Sequence, residues 1–500
     1  MSRLFKLCFV LTLTLLPLGL TARGDSGRYY HSVRLDPGDS ENEVVRKAAF
    51  VVPTPRQFDW QELEYVAFIH FGMNTFTGRE WGNGKEDPRL FNPSHFDARQ
   101  WARTVKAAGM KMIVVTAKHH DGFCLWPSAY TEHSVKNSPW RNGKGDVIRE
   151  VAEACRGEGL KLGIYLSPWD RHEPTYGTRA YNDYYKRQVR ELLSNYGEIS
   201  DFWLDGAGMG LKWMRMKKLY DWAGYYAIIR ELQPQAAISS IGPDTRWCGN
   251  EAGNTRESEW SVIPEHFDYQ ADNIGGRAQL MKAARRGDRL VWYPAFIDTS
   301  IRPGWFYHAS QDNKVKSLER LLDIYYGSVG GNGLLLLNLP PDQRGLIHEN
   351  DVQRVLELAD VLERTFAVNL AKGAGAAASE FREHSSEHGA DKTIDGDKDT
   401  YWTTDNRVSA ATIEYDLGEP RTFNVAMLQE YIKMGQRVEE FYLEAWNGKE
   451  WKPLSRSTTI GYKRLLRFNE VTTQKVRVRI TQSRARPTIS EFGLYLAPTI

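Results

Sequence analysis

The chain has 500 residues, which at roughly 150 per domain implies two or three domains. A hydrophobic share of 41% with 26% charged residues excludes long disorder, collagen-like repeats and a polytopic membrane protein. Lys+Arg 65 against Asp+Glu 63 leaves a net charge of +2, so no global field draws nucleic acid and none is expected as a partner. The aromatic content is high, with 16 Trp, 24 Tyr and 20 Phe, whose flat apolar faces and polar handles suit sugar rings as well as cores.

At the N-terminus, Arg3 and Lys6 precede an apolar run from Leu7 to Leu20, followed by small Thr21 and Ala22. A basic start, a short apolar middle and a small-residue exit describe a secretory signal peptide over residues 1–24. The run falls short of the ~20 residues of a spanning helix, so a secreted or periplasmic protein with no stable membrane span is expected. Removing Cys8 with the leader leaves Cys124, Cys155 and Cys248, too few for a disulfide framework: at most one bridge and an odd thiol.

From residue 25 to 368 short apolar runs alternate with helical patterns. Strands are expected at Tyr65–His70, Met112–Thr116, Leu160–Leu166, Asp201–Asp205, Ala236–Ile241, Leu290–Phe296 and Gly333–Leu339, with an eighth within Glu257–Tyr269. Amphipathic helices are expected at Ala98–Ala108, Val147–Glu158, Tyr181–Tyr196 and Leu211–Leu232. Near-continuous apolar strands separated by helices imply a parallel sheet buried on both faces, and eight fit a (β/α)₈-like barrel in the α/β class. A doubly wound sheet would need a Gly-rich phosphate turn after its first strand, and His70-Phe71-Gly72-Met73 is not one. From 369 to 500 period-two alternation replaces helical patterning, as in Ala411–Leu417, Phe423–Gln429, Glu440–Trp446, Lys475–Ile480 and Glu491–Leu496. This reads as an antiparallel β-sandwich.

Barrel active sites lie at the C-terminal ends of the strands. Residues at or just beyond those ends include His70, His119, His120, Tyr165, Asp205, Glu251 and Trp305. Asp205 closes an apolar strand and is followed by Gly206, a costly place for a carboxylate unless it is paired or used; capping a helix is the competing role. Glu251 is the second carboxylate, with Glu257 and Glu259 near enough in sequence to compete. His119 and His120 are neighbours expected to point apart, and no carboxylate-rich ligand set accompanies them, so hydrogen bonding to sugar hydroxyls is favoured over metal chemistry. A Gly-x-Ser-x-Gly elbow and a P-loop are both absent from the sequence. Two carboxylates on a rim of His, Tyr and Trp describe a glycosidase.

Several stretches resemble the alpha-L-fucosidases of glycoside hydrolase family 29: His70-Phe71-Gly72, Glu80-Trp81, Ala117-Lys118-His119-His120-Asp121-Gly122-Phe123, Trp203-Leu204-Asp205-Gly206 and Arg302-Pro303-Gly304-Trp305-Phe306. The resemblance covers roughly residues 50–365. It implies a retaining exo-fucosidase that needs no catalytic cofactor. Asp205 would be its nucleophile, and His70, Glu80, Trp81, His119, His120, Tyr165 and Trp305 would hold the fucose. Arg246-Trp247-Cys248-Gly249-Asn250-Glu251-Ala252-Gly253 is similar to the subfamily acting on branched α-1,3 and α-1,4 fucosides, with Glu251 as acid/base and Cys248 in place of an aliphatic residue. Fucosylated oligosaccharides or glycoconjugates are then the expected partners. Another retaining exo-glycosidase, such as a galactosidase, and a non-catalytic glycan-binding protein are the competing readings. Ala390-Asp391, Asp395-Gly396-Asp397-x-Asp399-Thr400-x-Trp402 and Ile489-Ser490-Glu491-Phe492 resemble a discoidin or coagulation factor type C domain. Relatives of that kind often hold a structural Ca²⁺, which implies Asp395, Asp397, Thr400 and Glu491 as oxygen ligands, against a plain Asx-turn loop without metal.

Overall fold

The computed structural model describes residues 29–206 and 219–500. The expected leader, and residues 211–218 of the helix expected over 211–232, lie outside the described residues. Eight parallel strands build the barrel: β1 Tyr65–Ile69, β2 Met112–Lys118, β3 Lys161–Leu166, β4 Asp201–Leu204, β5 Ala237–Ser240, β6 Arg246–Trp247, β7 Ala295–Ser300 and β8 Leu334–Asn338. Their hydrogen-bonded order is β5-β4-β3-β2-β1-β8-β7-β6, so the barrel is near-closed, its ends meeting at β5 and β6. The strands at 65–69 and 112–118 are buried throughout, as covering on both faces demands.

Helices Ala98–Ala107, Val147–Glu158, Tyr181–Asn195, Trp222–Leu232, Arg277–Arg286, Leu318–Ser328 and Glu349–Phe366 lie along the chain between and after the strands. Asp97, Asp146 and Ser317 start three of them by accepting first-turn N–H groups. No helix separates β5 from β6. There the chain turns at Gly242, where a Cβ would come within 2.0 Å of the Ile238 carbonyl oxygen. Asp244 locks the turn by accepting the Ile238 N–H at 2.8 Å.

Two strand expectations are corrected. Leu290–Phe296 is not one strand: Arg289–Trp292 pairs antiparallel with Ser32–Arg34 and Val262–Pro264 in a separate sheet, and the barrel strand is Ala295–Ser300. Pro294 between them has no N–H to give a ladder, while its carbonyl accepts the Arg246 N–H at 3.0 Å. The sixth barrel strand is therefore Arg246–Trp247 rather than a segment of Glu257–Tyr269. Alternation along the strands sends Val66, Phe68, Trp203, Phe296, Leu334 and Leu336 into the barrel interior. The same phase brings His70, Asp205 and Asp298 to the cavity at its upper end.

Residues 375–495 form the antiparallel sandwich: β9 Gly375–Ala378, β10 Trp402–Thr403, β11 Ala411–Glu430, β12 Val438–Trp446, β13 Trp451–Ser457, β14 Arg464–Ser483 and β15 Thr488–Tyr495. β11 and β14 are long and bulged, so the two apolar runs expected at 411–417 and 423–429 are halves of one strand. The first half pairs with β9 and the second with β15. Trp402, Tyr415, Phe441 and Phe492 centre its core. Cys124, Cys155 and Cys248 are all free and buried, so no bridge forms among them.

The two domains are joined by hydrogen bonds around the segment after β6, those of Gln436 buried. Gln436 of the sandwich accepts the Ser261 N–H at 2.7 Å and donates to the Glu259 carbonyl at 2.9 Å. Arg464 and Thr458 donate to the Glu257 carbonyl at 3.1 and 2.9 Å. Lys463 pairs with Glu64 at 2.6 Å. Gln436→Ala leaves the buried Ser261 N–H without its partner, an expected cost of about 1–3 kcal/mol. The urea midpoint should fall accordingly, while exposed Gln474→Ala should stay within about 0.5 kcal/mol. Equal midpoints for the two variants would contradict this account of the interface.

Candidate active site

The upper end of the barrel encloses a cavity of about 210 Å³ lined by Phe68, His70, Glu80, Trp81, His119, His120, Tyr165, Trp203, Asp205, Glu251, Asp298 and Trp305. All nine residues singled out from the sequence for catalysis or sugar binding in the barrel are among them. A second cavity of about 390 Å³ adjoins it, sharing Trp203, Asp205, Glu251 and Asp298 and adding Trp247, Tyr269 and Phe296.

Asp205 follows β4 in the inward phase of Asp201 and Trp203. Its Oδ2 accepts the Tyr165 hydroxyl at 2.5 Å and lies 3.5 Å from His120 Nε2. Tyr165 is stacked on Trp203 with ring centroids 5.2 Å apart, which fixes the hydroxyl's direction. Burial and the Asp205 charge hold that hydroxyl protonated. Glu251 stands on the loop after β6. Its pKa is raised by burial and by the charge of Asp205, against a hydrogen bond with the Trp305 side chain.

The imidazoles are oriented from behind. Asn338 of β8 holds His70 Nδ1 at 2.8 Å and donates to the Trp305 carbonyl at 2.8 Å. Ser167 holds His120 Nδ1 at 2.8 Å, and Asn74 lies 3.3 Å from His119 Nδ1. Burial pushes the His70 pKa down to about 4 and lowers those of His119 and His120, so these rings are neutral near pH 7, each with a donor and an acceptor nitrogen. Contrary to expectation, His119 and His120 do not point apart: their rings are 4.0 Å apart. The strand ends at Lys118, so the two occupy a turn rather than alternating positions. Ligand atoms of His119, His120 and Asp205 lie within 4.8 Å of one another, a spacing that suits a shared substrate hydroxyl as well as a cation.

Lys118 faces the other way. It is fully buried against Asp170 at 2.8 Å and Gln188 at 2.9 Å, under Tyr181, Tyr184 and Tyr185, and anchors the turn. Glu80 accepts the Trp305 N–H at 2.8 Å and pairs with His308 at 2.7 Å, joining two loops over the cavity. Trp81 is 49% exposed at the mouth, edge-on to Trp169 and His120. Glu259 is excluded as the second carboxylate because it is buried against Arg246. A polar, aromatic-walled cavity of this size with two carboxyls in its lining fits one hexose-like ring and acid/base chemistry at its glycosidic bond.

The alpha-L-fucosidase family profile matches residues 51–365, and the F5/8 type C domain profile matches residues 375–492. The chain belongs to the alpha-L-fucosidase family, glycoside hydrolase family 29. It is 43% identical over 452 residues to alpha-L-fucosidase 1 of Arabidopsis thaliana, covering 89% of this chain and 87% of that protein. Its fold superposes on a glycoside hydrolase 29 family member from an unknown rumen bacterium with a TM-score of 0.77 at 43% identity, over 90% of this chain and 78% of the other. A Ruminococcus gnavus GH29 fucosidase in complex with fucose matches with a TM-score of 0.79 at 32% identity, over 93% of this chain and 99% of the other. The chain is therefore a glycoside hydrolase, and the galactosidase and non-catalytic readings give way.

Sequence reasoning missed three residues in or behind the site: Asp298, Asn338 and His308. The first two share the inward phase of their strands, a signal readable once each strand is placed; His308 carries no such signal. In the type C domain, Asp395 Oδ2 accepts the Thr400 hydroxyl at 2.7 Å, which also lies 3.1 Å from the Asp397 carbonyl. Asp395 and Asp397 further accept the N–H groups of Asp397 and Asp399, each at 2.9 Å. Glu491 Oε1 is buried without a partner, and burial, with the charges of Asp395 and Asp397, pushes the Glu491 carboxyl up to about 7. Among the described residues, no sandwich Trp or Tyr is an exposed large apolar side chain.

Proposed function

We propose that the protein is an exported, retaining exo-α-L-fucosidase that removes α-1,3- or α-1,4-linked fucose from branched glycans through a fucosyl-Asp205 intermediate. The observation carrying this reading is that Asp205 and Glu251 line one cavity in unlike electrostatic settings. Asp205 accepts the Tyr165 hydroxyl, while burial and the Asp205 charge favour a protonated Glu251. A carboxylate that accepts a hydroxyl, beside a second carboxyl whose pKa is raised, is what a double displacement needs.

In the first step Asp205 Oδ attacks the anomeric carbon as Glu251 gives its proton to the leaving oxygen. Glu251, now a base, takes a proton from water, which attacks the same carbon and frees Asp205. The neutral His70, His119 and His120 bind fucose hydroxyls, Glu80 holds the Trp305 loop, and Trp305 lies along the apolar edge of the sugar. The second cavity, walled by Trp203, Trp247 and Tyr269, leaves room beside Glu251 for the sugar that carries the fucose. That room, with the Arg246–Gly253 stretch, supports a branched substrate. Export rests on Arg3 and Lys6 before the apolar run, and a mature chain retaining Met1 would contradict it.

The type C loop supports a structural Ca²⁺ held by Asp395, Asp397, Thr400 and Glu491. A partnerless buried carboxylate oxygen in the field of two further carboxylates is the environment a hard cation relieves, and binding would draw these groups in to ligand distance. The cation would have no part in the chemistry.

A Lewis-type branched trisaccharide should release fucose while an unbranched 2-linked fucoside should not. As pH rises through the raised Glu251 pKa the acid is lost, so release should fall on the alkaline side. Equal release from both sugars would contradict the linkage reading. Calorimetric titration should show Ca²⁺ bound by the wild type and lost in Glu491→Gln; heat unchanged by that substitution would contradict the site.

A further inference from the structure

Three carboxyls line both cavities, and the proposed reaction uses two. The third is Asp298 of β7, only 6% exposed. It sits in the inward phase between Phe296 and Ser300. Its Oδ1 accepts the Trp247 indole N–H at 2.7 Å, and Trp247 itself walls the second cavity. Asp298 thus stands where the two cavities meet, tied to the larger one.

We propose that Asp298 is a specificity-determining residue, whose carboxyl, oriented by Trp247, hydrogen-bonds a hydroxyl of the sugar that carries the fucose. The inference rests on the fucosidase reading of the site and adds to it the group that reads the second sugar. Chemistry favours a protonated acid at this place. The group is buried beside two other carboxyls, and burial above all, with the Asp205 charge adding to it, pushes its pKa up to about 8. Near pH 7 it therefore offers an O–H donor. In a buried site a missing hydroxyl partner is penalised far more than a missing methylene, so one such group separates sugar aglycones from apolar ones.

The test crosses two variants with two substrates. One is an aryl fucoside, whose leaving group has no hydroxyl to bind, and the other is the branched trisaccharide. Asp298→Ala should lose about 10- to 100-fold in kcat/KM on the trisaccharide and less than about threefold on the aryl fucoside. Asp298→Asn keeps an acceptor for Trp247 and supplies N–H donors, so it should stay within about fivefold of the wild type on both. Equal losses on the two substrates in Asp298→Ala, no loss on either, or a large loss on both in Asp298→Asn would each overturn the proposal. Should Asp298→Ala melt below the assay temperature, Asp298→Ser is read by the same criteria. A wild type that releases fucose from neither substrate would overturn the fucosidase reading and this inference together, whereas the other adverse results overturn this inference alone.

Discussion

The site depends on a buried ion pair between Arg246 and Glu259, both essentially without solvent contact. Charges so far from water persist only when paired and hydrogen-bonded, and removing one partner costs about 3–5 kcal/mol because the other is stranded. Here the pair is fully dressed. Arg246 also donates to the Tyr293 and Trp260 carbonyls at 3.0 Å each, and Glu259 accepts the Arg256 N–H at 3.1 Å. The segment between its two members is the loop that carries Glu251. Since β6 is only two residues long, sheet pairing alone could not hold that loop.

The sandwich takes part in the same arrangement. Gln436 and Asn332 both donate to the Glu259 carbonyl, at 2.9 and 3.0 Å. Arg464 and Thr458 grip Glu257 two residues earlier. The type C domain thus braces the Glu251 loop from outside the barrel, while the barrel supplies Asp205 from inside. The neutral, back-bonded histidines of the cavity bring no opposing charge, so the negative charge of Asp205 is left to act on Glu251.

How much of this was legible in the sequence follows from where the physical signal is strong. The strands at 65–69, 112–118, 161–166 and 201–204 are continuous apolar runs, and their polar ends gave His70, His119, His120, Tyr165 and Asp205. The signal failed around β6 and β7. Arg246–Trp247 is too short to show a period, and the apolar stretch 290–296 straddles Pro294, where one sheet ends and another begins. Stopping that strand at Phe296 hid Asp298 two residues further along the same face. Glu251 was one of three neighbouring carboxylates the sequence offered, and only resemblance chose among them, because its loop is held by an ion pair between Arg246 and Glu259, thirteen positions apart, which no local pattern encodes. In the sandwich, β13 went unread because Trp451–Ser457 is polar and partly exposed, so its alternation is faint.

The central claim is that Asp205 forms the covalent bond to the sugar. The most direct measurement is to inactivate the protein with a 2-deoxy-2-fluoro-fucosyl fluoride, digest it and locate the label by mass spectrometry. The account predicts one fluorofucosyl unit on the peptide containing Asp205, formed in step with loss of activity. A label on Glu251 or Asp298, or continued turnover with no label, would contradict it.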